Sequence, residues 1–283
     1  MNLQPLFLAS TGRAGSTLMM KILSHHPGIA VRTIFPYEIR AAQYYYIFAN
    51  HNSDDVSLFS PIKFKNAQFR AFLNKDTESI AWTEEQEFVE LEENGVNLID
   101  KYYSFVSTIE DKPNAKYFAE KCIGLNLVRQ MSSSFPSSKI IFLRRDPRDT
   151  FFSAKSFNAK RGSLKFGEQN GDEAMFQNIV SFYEKSIKFV RVLKDRAVIV
   201  KYENLLNNKK ETLSKLFKSL ELDYAENTIK DIIDSAFIAT KETDKHRTTT
   251  EEKNSISRWE REASSEDLAI FNKSQDTLTL LDY

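Results

Sequence analysis

Two stretches of this chain share one plan: an apolar run, a turn carrying arginine, then a helical pattern. They are LFLASTGRAGSTLMMKIL near the N-terminus and KIIFLRRDPRDTFFSAKSF in the middle. Cationic side chains stand here at the wrong end of a helix for stability, because a first turn already carries about half a positive charge and four N–H groups without intrahelical partners. A chain that accepts this cost twice is built to hold an anion at each turn.

Length and composition leave room for that reading and exclude others. At 283 residues the chain suits one large α/β domain over residues 1–283. Lys+Arg and Asp+Glu both number 39, so the formal net charge is zero and no broad electrostatic grip on nucleic acid is expected. Cys122 is the only cysteine, which rules out an intramolecular disulfide and a CxxC zinc site and suits a reducing compartment. No apolar stretch approaches the ~20 residues of a membrane span. The opening MNLQPLFLAS lacks a basic leader and a long apolar core, and it runs straight into the first turn, so it reads as a strand. A cytoplasmic location follows from these features.

Along the chain, Leu6 to Ser10 reads as a buried strand and Ser16 to Ser24 as a helix ended by His25, His26, Pro27 and Gly28. Ile29 to Thr33 reads as a second strand, and Pro36 as the opening of an aromatic helix with Tyr37, Tyr44, Tyr45, Tyr46 and Phe48. Residues 51–107 form a polar, largely helical insertion whose acidic run, Glu84 to Glu93, reads as a solvated face. Tyr117 to Lys121, Lys139 to Leu143 and Ala197 to Lys201 are further short strands, separated by helices such as Glu173 to Lys194. Strands alternating with helices predict a three-layer α/β sandwich around a central parallel sheet of about five strands.

In the first turn, Gly12 and Gly15 let the backbone bend sharply around a ligand, Arg13 adds charge, and Ser16 and Thr17 offer hydroxyls. The kinase-type loop, GxxxxGK followed by Ser or Thr, is not met: Ser10 replaces its first glycine and Ser16 its lysine. The plainer alternative is a strand-to-helix turn with Ser16 or Thr17 as N-cap. In the second turn, Asp146 suits the N-cap, Pro147 the first helical position and Asp149 the third. Arg145 just before the cap, with Ser153 eight residues on, suits a second phosphate. The plainer alternative pairs Arg144 and Arg145 with Asp146 and Asp149 on the surface.

Together these residues resemble the sulfotransferases that use 3′-phosphoadenosine 5′-phosphosulfate (PAPS), a P-loop-NTPase-like α/β fold. In that family a cation, any residue, glycine and two hydroxyl residues hold the 5′-phosphosulfate, matched by Arg13, Ala14, Gly15, Ser16 and Thr17. An arginine followed eight residues later by serine holds the 3′-phosphate, matched by Arg145 and Ser153. YFAEKCIGL is similar to the family's lysine-bearing strand, VIVKYENLL to its strand ending in Tyr-Glu, and KNSISRWERE to its late basic-Trp loop. The markers run in the family's order over about residues 6–262.

The resemblance implies PAPS as donor, the desulfated nucleotide PAP as product, no metal, and a hydroxyl or amine acceptor on a small molecule or saccharide. It implies Arg13 and Lys121 as neutralising cations, and Tyr202, Lys253, Arg258 and Trp259 as further nucleotide residues. Two departures matter. Lys121 is followed by Cys122 and Ile123 where the cytosolic small-molecule members have a histidine base; many bacterial members instead use a glutamate on the segment after the first helix, and the resemblance implies that role for Glu38 in FPYEIR, helped by burial among Phe35, Tyr37 and Tyr44 to Tyr46. Its plainer alternative is an acidic residue early in the helix after Pro36. Leu18 replaces the tryptophan that often stacks on adenine, leaving Tyr202 or Trp259 for that task. Tyr37, Tyr44 and His246 are expected at the acceptor, whereas His25 and His26 read as structural. An ATP-dependent kinase of small metabolites and a catalytically inactive nucleotide-binding protein are the alternatives.

Overall fold

The computed structural model describes residues 2–49, 86–161, 170–240, 248–249 and 253–283. Residues 51–85 of the expected insertion, with the start of the acidic run, and His246 lie outside them. The sheet has five strands: β1 (Gln4–Ser10), β2 (Ile29–Ala30), β3 (Tyr117–Ile123), β4 (Lys139–Arg144) and β5 (Ala197–Lys201). Their spatial order is β2-β3-β1-β4-β5, and every pairing is parallel. Parallel neighbours need crossovers, and the crossover helices cover both faces, which is why β1 is buried from Pro5 to Ser10.

The side-chain alternation of β1 divides the core. Leu6 and Leu8 face one side with Met19, Met20, Ile22 and Leu23 of helix α1 (Ser16–His25) and with Leu213, Leu216 and Phe217. Phe7 and Ala9 face the other with Phe118, Phe142, Val128 and Met131, together with Ile99, Tyr103 and Val106 of the helix Gln86–Ile109. A third cluster, Phe151, Phe176, Tyr183, Phe271 and Leu278, joins the helix Pro147–Arg161 to the helix Asp172–Leu193 and the C-terminal helices.

This layering positions both arginine turns. From β1 the chain turns toward β2 on one side of the sheet, and from β4 it turns toward β5 on the other. The divergence opens a crevice between β1 and β4 at the carboxyl edge, the switch point where open α/β sheets bind ligands. Arg13 leaves one wall and Arg145 the other.

Two local expectations are corrected. The second strand is only Ile29–Ala30. Pro36 does not open a helix: residues 35–37 form a turn, with a cis Phe35–Pro36 bond, Tyr37 at φ 62° and its N–H bonded to the Ile34 carbonyl. Helix α2 begins at Ala41 and runs to Ala49. The reason is tertiary. The Pro36 carbonyl, which a helix would give to residue 40, accepts instead from the buried Lys121 ammonium at 2.6 Å.

His25 is exposed, whereas His26 is buried and saturated: Nδ1 accepts from the Gly28 N–H at 2.9 Å, Nε2 meets the Asp223 carbonyl at 2.8 Å, and the ring lies 4.4 Å from Phe217. Replacing it leaves the partly buried Gly28 N–H and the Asp223 carbonyl without this partner. His26→Leu should cost about 1–3 kcal/mol in denaturant unfolding, and unchanged stability would contradict the bonding role.

Candidate functional site

The first turn is built around glycine. The N-cap of α1 is Gly15, at φ 95° and ψ 16°, with no side-chain cap and no acidic residue in the first turn. This corrects the reading of Ser16 or Thr17 as cap: both are already helical, and their hydroxyls are left for other partners. Arg13 also sits at positive φ, 68°, so its guanidinium is thrown across the turn to lie 4.4 Å over the Phe157 ring, with Nε 3.4 Å from the Ser153 hydroxyl. Ala14 is fully buried and contributes backbone only. A Cβ on Gly15 would lie 2.6 Å from Cε2 of Tyr202, so glycine is required by conformation and by space alike.

The second turn is tied to the first by one side chain. Arg145 is 4% exposed; its Nη1 donates to the Arg13 carbonyl at 2.9 Å, its Nη2 to the Ser255 carbonyl at 2.7 Å, and its guanidinium lies 4.8 Å over the Tyr202 ring. Its Nε is buried with no hydrogen-bond partner. The backbone N–H of Arg145 donates to the Tyr183 hydroxyl, which is 3.3 Å from Thr11 Oγ1 on the opposite turn.

The surface ion network considered for Arg144 and Arg145 is replaced by a different one. Asp146 caps the helix by accepting from the Arg148 N–H at 2.8 Å, and it takes the Arg148 guanidinium in a two-oxygen contact. Asp149 is buried, accepts from the Trp259 N–H at 3.0 Å, and is pushed up to about 6 by burial. The Trp259 ring is occupied by the Arg148 guanidinium at 3.8 Å and packs edge-on to Phe271. Glu203 accepts from the Asp146 N–H and the Tyr283 hydroxyl, closing this edge of the sheet; burial raises its pKa.

The crevice is lined by Arg13, Gly15, Ser16, Thr17, Leu18, Lys21, Arg145, Ser153, Tyr202, Ala236, Ile238, Thr248, Thr249 and Ser255. Of the two aromatic residues expected near adenine, Tyr202 is in this lining and Trp259 is outside it. Lys253 is exposed, and Arg258 is buried against Glu262, Ser156 and Thr248; both flank the crevice without lining it. Sequence reading missed Lys21, Ala236, Ile238, Thr248, Thr249 and Ser255. Only Lys21, one turn after Leu18 on α1, carried a signal, the helical spacing itself.

Beyond the first turn lies a second group of charges. Lys121, beside Leu8 in the β1–β3 register, is 2% exposed and donates to Thr17 Oγ1 at 3.0 Å. Its Nζ is 3.7 Å from Glu38, whose other oxygen is 3.8 Å from Arg40. Burial pushes Lys121 down to about 8, partly offset by Glu38. The carboxylate is 38% exposed and stands between two cations, because the turn at Pro36 sets it in a loop rather than in a helix; this also overturns the early-helix alternative. Tyr37 packs partly on the α1-side core and Tyr44 is half-buried on α2.

The crevice lies at the switch point of the α/β sheet, with Arg13, Lys21 and Arg145 in its lining. A profile described as the sulfotransferase family matches residues 5–226, and the chain belongs to that family. No curated protein sequence matches significantly. Among solved structures, the sulfotransferase domain from the Synechococcus PCC 7002 olefin synthase is similar over 100% of this chain and 96% of its own, at 14% identity and TM-score 0.59. The sulfotransferase domain from the curacin biosynthetic pathway follows at 16% identity, TM-score 0.58 and coverage of 99% and 98%. Retinol dehydratase in complex with androsterone and inactive cofactor PAP has 14% identity, TM-score 0.53 and coverage of 98% and 82%. At these identities the likeness is one of fold.

Gly15→Ala should destabilise the protein by at least ~1 kcal/mol, since alanine is strained at this φ and meets Tyr202. Thermal unfolding checks this, and a variant as stable as the parent would refute the close approach.

Proposed function

We propose that the protein transfers a sulfuryl group from PAPS to a hydroxyl or amine of a small-molecule or saccharide acceptor and releases PAP. The observation that carries this reading is a chain of contacts joining donor turn to base: Thr17 to Lys121 at 3.0 Å, and Lys121 to Glu38 at 3.7 Å. The residues fit a nucleotide with two anionic ends. The uncapped start of α1 and Arg13 suit the 5′-end, and Arg145, with its partnerless buried Nε, and Ser153 suit the 3′-phosphate. Leu18, Ala236 and Ile238 supply an apolar wall for the base, with Tyr202 beside the turn. The retinol dehydratase of similar fold was solved with PAP.

When bound, the donor supplies the sulfuryl group and a phosphate leaving group. Lys121 and Arg13 hold positive charge on the leaving side, where negative charge grows as the bond to sulfur breaks. Glu38, outside the crevice lining but in ion-pair contact with Lys121, accepts the proton that the acceptor loses as its oxygen or nitrogen bonds to sulfur. Positioning does the rest, as in phosphoryl transfer. The kinase alternative lacks the loop lysine, which Ser16 replaces.

Isothermal titration should show tight binding of PAP and weak binding of ATP with magnesium; the reverse order would overturn the donor. Glu38→Gln should keep PAP affinity and lose about 10²–10⁴-fold in turnover; a variant that turns over normally would remove Glu38 from the reaction. Lys121 is charged below its pKa, so kcat/KM for PAPS should hold at neutral pH and fall as pH rises through about 8. Lys121→Arg should move that limb upward, and a limb left in place would assign it to another group.

A further inference from the structure

Lys121 is preceded on β3 by Glu120, whose side chain points to the opposite face of the sheet. That face is otherwise apolar: Phe118 and Cys122, two residues away on either side, pack in the same cluster as Phe7, Ala9 and Tyr103. Glu120 is 0% exposed there, a place where a carboxylate is costly unless its oxygens are hydrogen-bonded. Its oxygens accept from the Ala42 N–H at 2.7 Å, from Gln43 Nε2 at 3.1 Å and from the Tyr103 hydroxyl. Each partner is a donor, so the arrangement is made for the ionised form. Burial pushes the carboxyl up to about 7, and the three donors restrain the rise.

The positions of two of these partners matter. Ala42 lies in the first turn of α2, directly after the loop that carries Glu38. Gln43 Nε2 also donates to the Lys121 carbonyl at 2.5 Å, so the start of α2 is bonded to side chain and backbone of the same strand. The other end of the loop is held from that strand too, through Lys121 Nζ on the Pro36 carbonyl at 2.6 Å. Between these two attachments Glu38 has one ion-pair contact at 3.7 Å and another at 3.8 Å, too long to fix its place alone.

We propose that Glu120 is a positioning residue for sulfuryl transfer: by anchoring the start of α2 while Lys121 anchors Pro36, it clamps the Pro36–Arg40 loop at both ends and keeps Glu38 beside Lys121 and the donor turn. The proposal rests on Glu38 acting as the base. It differs from a plain folding role in what it leaves untouched, since the donor crevice lies on the other face of β3, where Thr17 meets the strand through the Lys121 ammonium and not through Glu120.

The test uses the full chain and three readouts: hydrogen exchange, PAP affinity, and release of sulfate from PAPS with water as acceptor. Glu120→Gln should raise exchange at least tenfold in peptides covering Pro36 to Gln43, leave exchange at Thr11 to Thr17 unchanged, and hold PAP affinity within twofold. Sulfate release should fall at least tenfold, and the Glu38→Gln/Glu120→Gln pair should be no slower than Glu38→Gln alone. Unchanged exchange in the loop, exchange raised evenly across the sheet, or losses that multiply in the pair would overturn the proposal. If Glu38→Gln alone releases sulfate normally, the base assignment fails, and the exchange result still decides whether Glu120 holds the loop. Should Glu120→Gln not fold, Gln43→Met removes two of the network's bonds at similar volume and should show the same local loosening.

Discussion

The functional edge of this protein is organised around one buried cation. Arg145 donates to carbonyls from two distant parts of the chain, Arg13 and Ser255, and lies on the ring of Tyr202 from a third. It makes no direct ion pair among the described residues. Its charge is balanced at longer range by the buried Asp149 and the partly buried Glu203, whose pKa values burial raises and Arg145 lowers. A charge so placed is costly unless its geometry is good. The crevice, the turn conformations and the seat of the late loop therefore stand or fall with that guanidinium.

The sheet divides labour between its faces. Lys121 looks toward α1 and the first arginine turn, and Glu120 looks toward α2 and the helix Gln86–Ile109. One dipeptide thus connects the first arginine turn to the helix that follows the Glu38 loop. Strand alternation makes this possible, because adjacent residues on a strand address opposite layers.

Much of this was legible in the sequence, and the reasons are physical. Apolar runs in β1, β3 and β4 could be buried only in a covered parallel sheet, and the spacings from Arg13 to Thr17 and from Arg145 to Ser153 lie within single local motifs. What escaped depends on partners far along the chain. Pro36 looks like a helix start until Lys121 takes its carbonyl. Ser16 looks like a cap until Gly15 adopts a left-handed conformation that ends the turn one residue earlier. Trp259 looks available for a base until Arg148 covers it, and Tyr183 shows no sign in sequence of bridging Thr11 to Arg145. Glu38 has aromatic neighbours in sequence, and nothing in that stretch announces its charged neighbours in space, Lys121 and Arg40.

The contact between Gly15 and Tyr202 has an evolutionary consequence. The missing side chain of one residue is filled by the ring of the other, so the two positions behave as a single volume shared across the crevice. A drift toward bulk at 15 needs both a smaller residue at 202 and a turn that no longer takes a positive φ at 15, and a smaller residue at 202 gives up the platform under Arg145. Relatives of this chain should therefore vary at the two sites in concert or at neither, although 187 positions of sequence separate them (202 less 15).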